Sequence, residues 1–544
     1  MRLSAGEGGT SEAWARGGRV VVAKRSPNAY DAQMQTPTFQ LALKKGEVVY
    51  VTYEARGPQS RHESGTAFWT AFFQRATPPW DGFGSGAGSA GKSWRTFHHT
   101  ALVDKDYPAR SVEMTMHVAG AEQTIEVRNL RGYVFPVGSN LAKFPFTKLT
   151  YAGREANAPW RAKAKGMIER NRKADLQITV ERGGKPAAGV PVRVRMLRHA
   201  YPFGTFAEYH VPKQEPDSVR YRKLLESNWF SRVTVPVYWS DWGWEHEPNR
   251  RDYLATIEWG RKNGIRMKAH CLLWPSDKWL PERIRPLRGD ALRTALTQSI
   301  NERLPLLKGP GIENLDVVNE LKTEHEVVDR VGLDPIVEYF KKTRAAFPKA
   351  DLVYNDYATF EGEGGGGEPF RVALDWTKRL KAAGAPITLS GWQAHFGEDL
   401  TPPEKVWALI DRWHKETGLP LEITEFDVNT RDEVAQADYL RDLLTCWFAH
   451  PQTRGFTIWG FWEKTHWIPA GAMFRTDWSR KPAANVWERL VTKEWWTDVT
   501  VRTDARGVAK VRGFLGDYAV SVEGAELRLP LGKEGAKPRI RIKI

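Results

Sequence analysis

At 544 residues the chain is too long for one ordinary hydrophobic core, and roughly 150 residues per domain implies three or four units. Lys and Arg outnumber Asp and Glu by 80 to 65, a formal excess of 15. The basic residues are scattered among acidic ones, which argues against the dense positive stripe of a nucleic-acid binder. No apolar run is long enough for a bilayer span, so neither nucleic acid nor membrane is an expected partner.

The opening stretch M-R-L-S-A-G-E-G-G-T has no apolar core of leader length, and no signal peptide is visible. Cys271 and Cys446 lie far apart, so no disulfide framework is readable and two buried thiols are expected. The 24 Trp exceed ordinary packing needs and suggest flat platforms for a ligand alongside core positions.

Residues 1–147 read as all-β, with alternating runs near residues 19–24, 39–43, 47–54, 67–73, 111–118 and 123–127 between Gly, Pro and charged turns. Candidate aromatic platforms here are Trp69, Trp80 and Trp94. The segment Gly86-Ala-Gly-Ser-Ala-Gly91-Lys92-Ser93 satisfies the phosphate-loop pattern, but W-R-T-F-H-H-T-A follows it where a helix is required. It is expected to be a flexible loop that binds no nucleotide.

Residues 148–174 form a Lys- and Arg-rich linker. Residues 175–197 then give two strands around R-G-G-K-P, and 496–544 contain further short strands such as V-T-V-R-T, V-A-K-V-R and Y-A-V-S-V. Neither piece can form a core alone, so the two are expected to complete one accessory sandwich flanking the domain between them.

Residues 198–495 alternate β-like runs with amphipathic helices, the pattern of βα units. Eight strand candidates, near 202–206, 232–239, 266–274, 314–320, 352–357, 387–395, 421–428 and 456–462, predict a (β/α)8 barrel in the α/β class. The fourth ends in Asn319 and Glu320, and the seventh delivers Glu425. Two carboxylates at the carboxyl ends of barrel strands suit the cleavage of a glycosidic bond.

Six motifs occur in order: A-H-C-L-L-W at 269–274, V-V-N-E at 317–320, Y-N-D-Y at 354–357, G-W-Q-A-H at 391–395, I-T-E-F-D-V at 423–428 and I-W-G-F-W at 458–462. Together they resemble glycoside hydrolase family 10, the endo-1,4-β-xylanase family, over about 300 central residues. The resemblance implies a retaining, endo-acting enzyme on xylan or a related β-1,4-glycan, with no cofactor and no metal. Glu320 would be the acid/base and Glu425 the nucleophile, oriented by His395 and Asp427. Asn319 and Gln393 would contact sugar hydroxyls beside His270 and Trp274, Trp459 and Trp467 would supply aromatic floor and wall, and Tyr357 would line the leaving-group side.

The family resemblance also implies a secreted or periplasmic enzyme, and a monomer is expected. The N-terminal runs around 47–56 and 121–135 loosely resemble jelly-roll carbohydrate-binding modules. The pattern breaks after the second strand: at 235–244, V-P-V-Y-W-S-D-W-G-W lacks the family's Glu-Asn and Lys group, and Trp239, Asp241 and Trp242 are the candidate replacement contacts. The Gly-rich stretch 361–368 follows the fifth strand as an insertion or flap beside the cleft.

Overall fold

The computed structural model describes the whole chain except residues 27, 61–66, 208–210, 358, 362–365, 398–399 and 533–538, with the side chains of 85, 87 and 539 also left undescribed. The first unit is a sandwich of two five-stranded antiparallel sheets. One holds Arg2–Ser4, Gln33–Gln35, Val112–His117, Ala67–Arg75 and Gly82–Ala90 in that spatial order. The other runs Thr10–Trp14, Gly17–Val22, Gln123–Phe135, Val48–Ser60 and Arg95–Leu102. Alternation along the strands turns Val20, Val51, Trp69, Phe73, Met114 and Ile125 into a core shared by both sheets.

Three expectations change in this region. The phosphate-loop match is not a loose loop: its first residues belong to strand Gly82–Ala90, which pairs antiparallel with Ala67–Arg75. A strand rather than a helix, Arg95–Leu102, follows it. The run near 39–43 forms only an isolated bridge from Leu43 to Tyr107. Two of the three Trp candidates are also occupied. Trp69 is fully buried, and Trp94 has the guanidinium groups of Arg56 and Arg128 at 4.8 and 4.1 Å from its ring.

The segment read as a linker contains α1 (Pro159–Arg172). Its Lys and Arg content masks an i, i+4 stripe, Trp160, Ala164, Ile168 and Arg172, all buried. This face docks on α2 (Glu433–Ala449), where the Arg161 guanidinium donates to both oxygens of Asp442 at 2.6 and 2.7 Å.

Strand Lys173–Arg182 then pairs antiparallel with Val508–Phe514 and parallel with Arg539–Lys543. Strand Pro191–His199 pairs with Asp498–Arg502 and Gly516–Val522. Chain segments on either side of the barrel are thus interleaved in two small sheets.

The barrel strands are β1 (Phe203–Phe206), β2 (Arg232–Pro236), β3 (Met267–His270), β4 (Ile312–Asn319), β5 (Asp351–Asp356), β6 (Leu389–Trp392), β7 (Leu421–Val428) and β8 (Thr453–Ile458). All neighbours are parallel, and pairing of β8 with β1 closes the ring. Strands buried on both faces read as near-continuous apolar runs, which is why they were visible in the sequence.

Inside the lower barrel lies a closed charge layer. Lys268 from β3 forms an ion pair with Asp316 at 2.9 Å and donates to Glu422 at 3.5 Å, Arg232 pairs with Glu422, and Asn314 donates to Glu422 at 3.0 Å. Two cations face two carboxylates, so the buried charge is balanced; removal of one member would leave an uncompensated charge. No helix among the described residues is long and apolar enough to cross a membrane.

Candidate active site

The reactive groups stand at the carboxyl ends of the strands. Asn319 is the last residue of β4, and Glu320 follows at φ 60°, a left-handed conformation rare for a side chain of this size. The Glu320 amide donates to the Asn355 carbonyl at 2.8 Å, which anchors this turn to β5. Glu425 lies inside β7 and is buried.

A chain of amides joins the two acids. Gln393 Nε2 donates to Glu320 Oε1 at 2.7 Å and lies 3.4 Å from Asn319 Oδ1. Asn355 Nδ2 lies 2.9 Å from the same Asn319 oxygen and donates to Glu425 Oε1 at 2.7 Å. Thr424 holds the other end of Asn355, its hydroxyl donating to Oδ1 at 2.6 Å. Asn319 Nδ2 is buried without a hydrogen-bond partner among the described residues, so a strong donor is available at the site.

The environments of the acids differ. Burial, with the nearby negative charges of Glu425 and Asp356, pushes the Glu320 carboxyl up to about 7 against the opposing hydrogen bond from Gln393. Trp274 Nε1 donates to its other oxygen at 3.1 Å. Glu425 instead faces cationic and donor groups. His395 Nε2 is 3.3 Å from Oε2, while His395 Nδ1 is 3.0 Å from Asp427. Burial pulls the His395 imidazole down, but the carboxylates of Asp427 and Glu425 prevail and raise it to about 10. An imidazolium therefore sits between two carboxylates at neutral pH.

His270 donates or accepts through Nδ1 with Asp316 at 2.8 Å, and its ring stands edge-on to Trp459 at 4.9 Å. Trp459 stacks on Phe206 at 4.4 Å, giving a fixed floor. Trp467 is 59% exposed yet anchored, since its Nε1 donates to Asp427 at 2.8 Å. Tyr357 shares a hydrogen bond with Thr323 at 3.0 Å and carries Lys322 Nζ 3.9 Å from its ring.

The second-strand region departs from expectation. Trp239 is buried; its Nε1 donates to Glu245 at 2.9 Å and it packs beside Arg303, so it is a core residue. Asp241 accepts from the Glu282 amide at 2.9 Å and pairs with Arg285, which ties two loops together. Trp242 does present an exposed ring. Its neighbour Tyr238, at 5.0 Å, also meets His270 at 5.3 Å and Trp274 at 6.2 Å.

Tyr238 and Asn355 are the site residues that sequence reasoning passed over. Alternation was the available signal for Tyr238: Val235 and Val237 face the core, so its place in a polar-aromatic run deserved the weight given to Trp239. Asn355 lay within a recognised motif, but its bridging role depends on packing between three strands. Residues 362–365 of the Gly-rich stretch lie outside the described residues.

The closed parallel barrel thus brings together two carboxylic acids in contrasting surroundings, Glu320 raised to about 7 and Glu425 buried beside the His395 imidazole. Residues 249–489 match Glycosyl hydrolase family 10.

Curated relatives include the anti-sigma-I factor RsgI6 of Acetivibrio thermocellus, 29% identical over 378 residues that cover 67% of this chain and 46% of that protein. Endo-1,4-beta-xylanase 1 of Arabidopsis thaliana is 28% identical over 345 residues, 62% of this chain and 35% of that protein. The chain thus spans less than half the length of either. Among solved structures, native xylanase 10B from Thermotoga maritima aligns with a TM-score of 0.46 and 23% identity, over 54% of this chain and 96% of that one.

Proposed function

We propose that the chain is a retaining, endo-acting glycoside hydrolase that cleaves β-1,4-linked polysaccharide, with xylan as its substrate. The observation that carries this reading is the amide chain from Glu320 through Gln393, Asn319 and Asn355 to Glu425, which fixes two carboxyls in different surroundings at one end of the barrel. Glu320, protonated in a substantial fraction of molecules near neutrality, donates its proton to the leaving glycosidic oxygen. Glu425, ionised against His395 and Asn355, attacks the anomeric carbon and forms the glycosyl-enzyme. Glu320, now a carboxylate, takes a proton from water as the water displaces Glu425, which restores both groups.

Asn319 Nδ2 supplies a donor for a hydroxyl of the sugar undergoing cleavage. Trp459, Trp274 and Trp467 provide aromatic surfaces, and Tyr238 with Trp242 takes the place where the family's polar group is missing. His395 and Asp427 position the nucleophile rather than react. Neither acid needs a metal in this scheme.

A panel of β-linked polysaccharides tests the reading. Wild type should release reducing ends from xylan, and Glu425→Ala should lose about a thousandfold or more, because removal of a covalent nucleophile removes the route. Absence of activity on every β-glycan would contradict it.

A further inference from the structure

The outer face of the sheet Arg2–Ser4, Gln33–Gln35, Val112–His117, Ala67–Arg75 and Gly82–Ala90 is unusual. The face of a sandwich turned away from its core ordinarily carries solvated polar side chains. Here Gln74, Glu113 and Thr115, which alternate with the core residues Phe73, Met114 and Met116, are themselves buried.

Of these, Gln74 also lines a cavity of about 460 Å³ together with Tyr30, Gln33, Gln35, Trp80 and His117. Two aromatic rings stand at its edges and remain open, Trp80 at 58% and Tyr30 at 54% exposure. The Glu113 carboxylate behind Gln35 is paired in place: its Oε1 accepts from Arg2 Nη2 at 3.0 Å and from Gln35 Nε2 at 2.8 Å. Tyr30 is braced by the His117 ring at 6.0 Å, and His117 in turn by Phe72 at 4.7 Å.

We infer that this groove is a second glycan site, which takes a short run of a neutral, β-linked oligosaccharide. Exposed aromatic rings offer apolar faces to the C–H faces of pyranose rings, while the amides of Gln33, Gln35 and Gln74, which already bond the Tyr30 carbonyl, Glu113 and Arg2, retain second N–H and lone-pair positions for hydroxyl groups. The buried Glu113 carboxylate is already paired with Arg2 and Gln35, so it does not call for a cationic ligand. An apolar ligand would leave the remaining hydrogen-bonding positions of these amides without partners, a cost that hydroxyls avoid. Trp69 and Trp94, whose faces are occupied by packing and by guanidinium groups, take no part.

The inference concerns a different domain from the proposed hydrolytic site, and one calorimetric design separates the two. Full-length Glu425→Ala protein is titrated with the β-1,4-linked hexasaccharides of xylose and glucose, alone and with Trp80→Ala or Gln74→Ala added; circular dichroism confirms folding of each variant. The expected result is a binding event weakened about tenfold or more by Trp80→Ala, consistent with loss of a principal aromatic contact, and reduced by Gln74→Ala. If the barrel also binds, a second event survives both substitutions. A single event abolished by Trp80→Ala would support the groove while counting against the barrel reading. Binding of both sugars unchanged by Trp80→Ala and by Gln74→Ala, or no binding at all, would overturn the groove.

Discussion

Glu320 has to be an acid in one half of the proposed cycle and a base in the other, so its affinity for protons must lie near the working pH. The structure arranges this by burial and by like charge from Glu425 and Asp356, with Gln393 and Trp274 limiting the shift. Since the folded value, about 7, is above the ordinary glutamate range, the protonated form is lost as pH rises through it. We therefore expect kcat/KM on xylan to fall with a basic limb near pH 7. In Glu320→Ala, assayed on an aryl glycoside whose leaving group needs no proton, that limb should vanish. Its persistence would assign the titration to another group. The same sign governs stability: this carboxyl favours the fold below its unfolded value and loses that contribution between about 4.5 and 7. His395 acts over a higher window. Its folded value of about 10 stabilises the fold below pH 6.5, a contribution lost as pH rises toward 10.

At the level of elements, the alignment of β4, β5, β6 and β7 determines whether the acids are usable. Asn355 pairs in register with Asn319 on one side and Gly391 on the other. A Cβ at Gly391 would lie 2.4 Å from Asn355 Oδ1 and 2.9 Å from Thr424 Cγ2, so glycine is what lets Asn355 reach Glu425. Gly391→Ala should lower kcat by about 10- to 100-fold through misplacement of the nucleophile's donor. Steady-state kinetics and a circular-dichroism spectrum that keeps its native shape would check this; unchanged kcat would show that Asn355 is dispensable. The eight strands were legible because each is a short, buried, largely apolar run, and β4 and β7 also carry the motif acids at or near their ends. The bridging role of Asn355 was not, since sequence gives no distance between strands. Trp239 and Tyr238 were exchanged for a related reason: both are aromatic, and only the direction of each side chain after β2 tells core from cleft. α1 was missed because its buried stripe includes Arg172, whose guanidinium reaches Thr453 Oγ1 at 2.8 Å, and charge in a stripe reads as solvent exposure.

On the scale of the molecule, the segments flanking the barrel form one structural support. Phe514 from the C-terminal strands and His199 from the strand before β1 both pack on Phe448 of α2, which also lies 4.5 Å from Trp495. A chain ending at residue 496 would leave Lys173–Arg182 and Pro191–His199 without their C-terminal partner strands and expose this aromatic cluster. Thermal unfolding should then shift down by at least about 5 °C, given the several degrees expected per kcal/mol in a domain, or the product should be insoluble. A truncated chain that melts with the parent would show the strands to be an appendage.

The central claim is that the two strand-end acids act by double displacement with Glu425 as the covalent partner. Its most direct test is incubation with a 2-deoxy-2-fluoro xylobioside bearing an activated leaving group, followed by mass spectrometry of the digested protein. The account predicts one sugar adduct, on the peptide that contains Glu425, formed as activity is lost and absent from Glu425→Ala. An adduct on Glu320, or inactivation of neither activity nor peptide under conditions where xylan is hydrolysed, would contradict it.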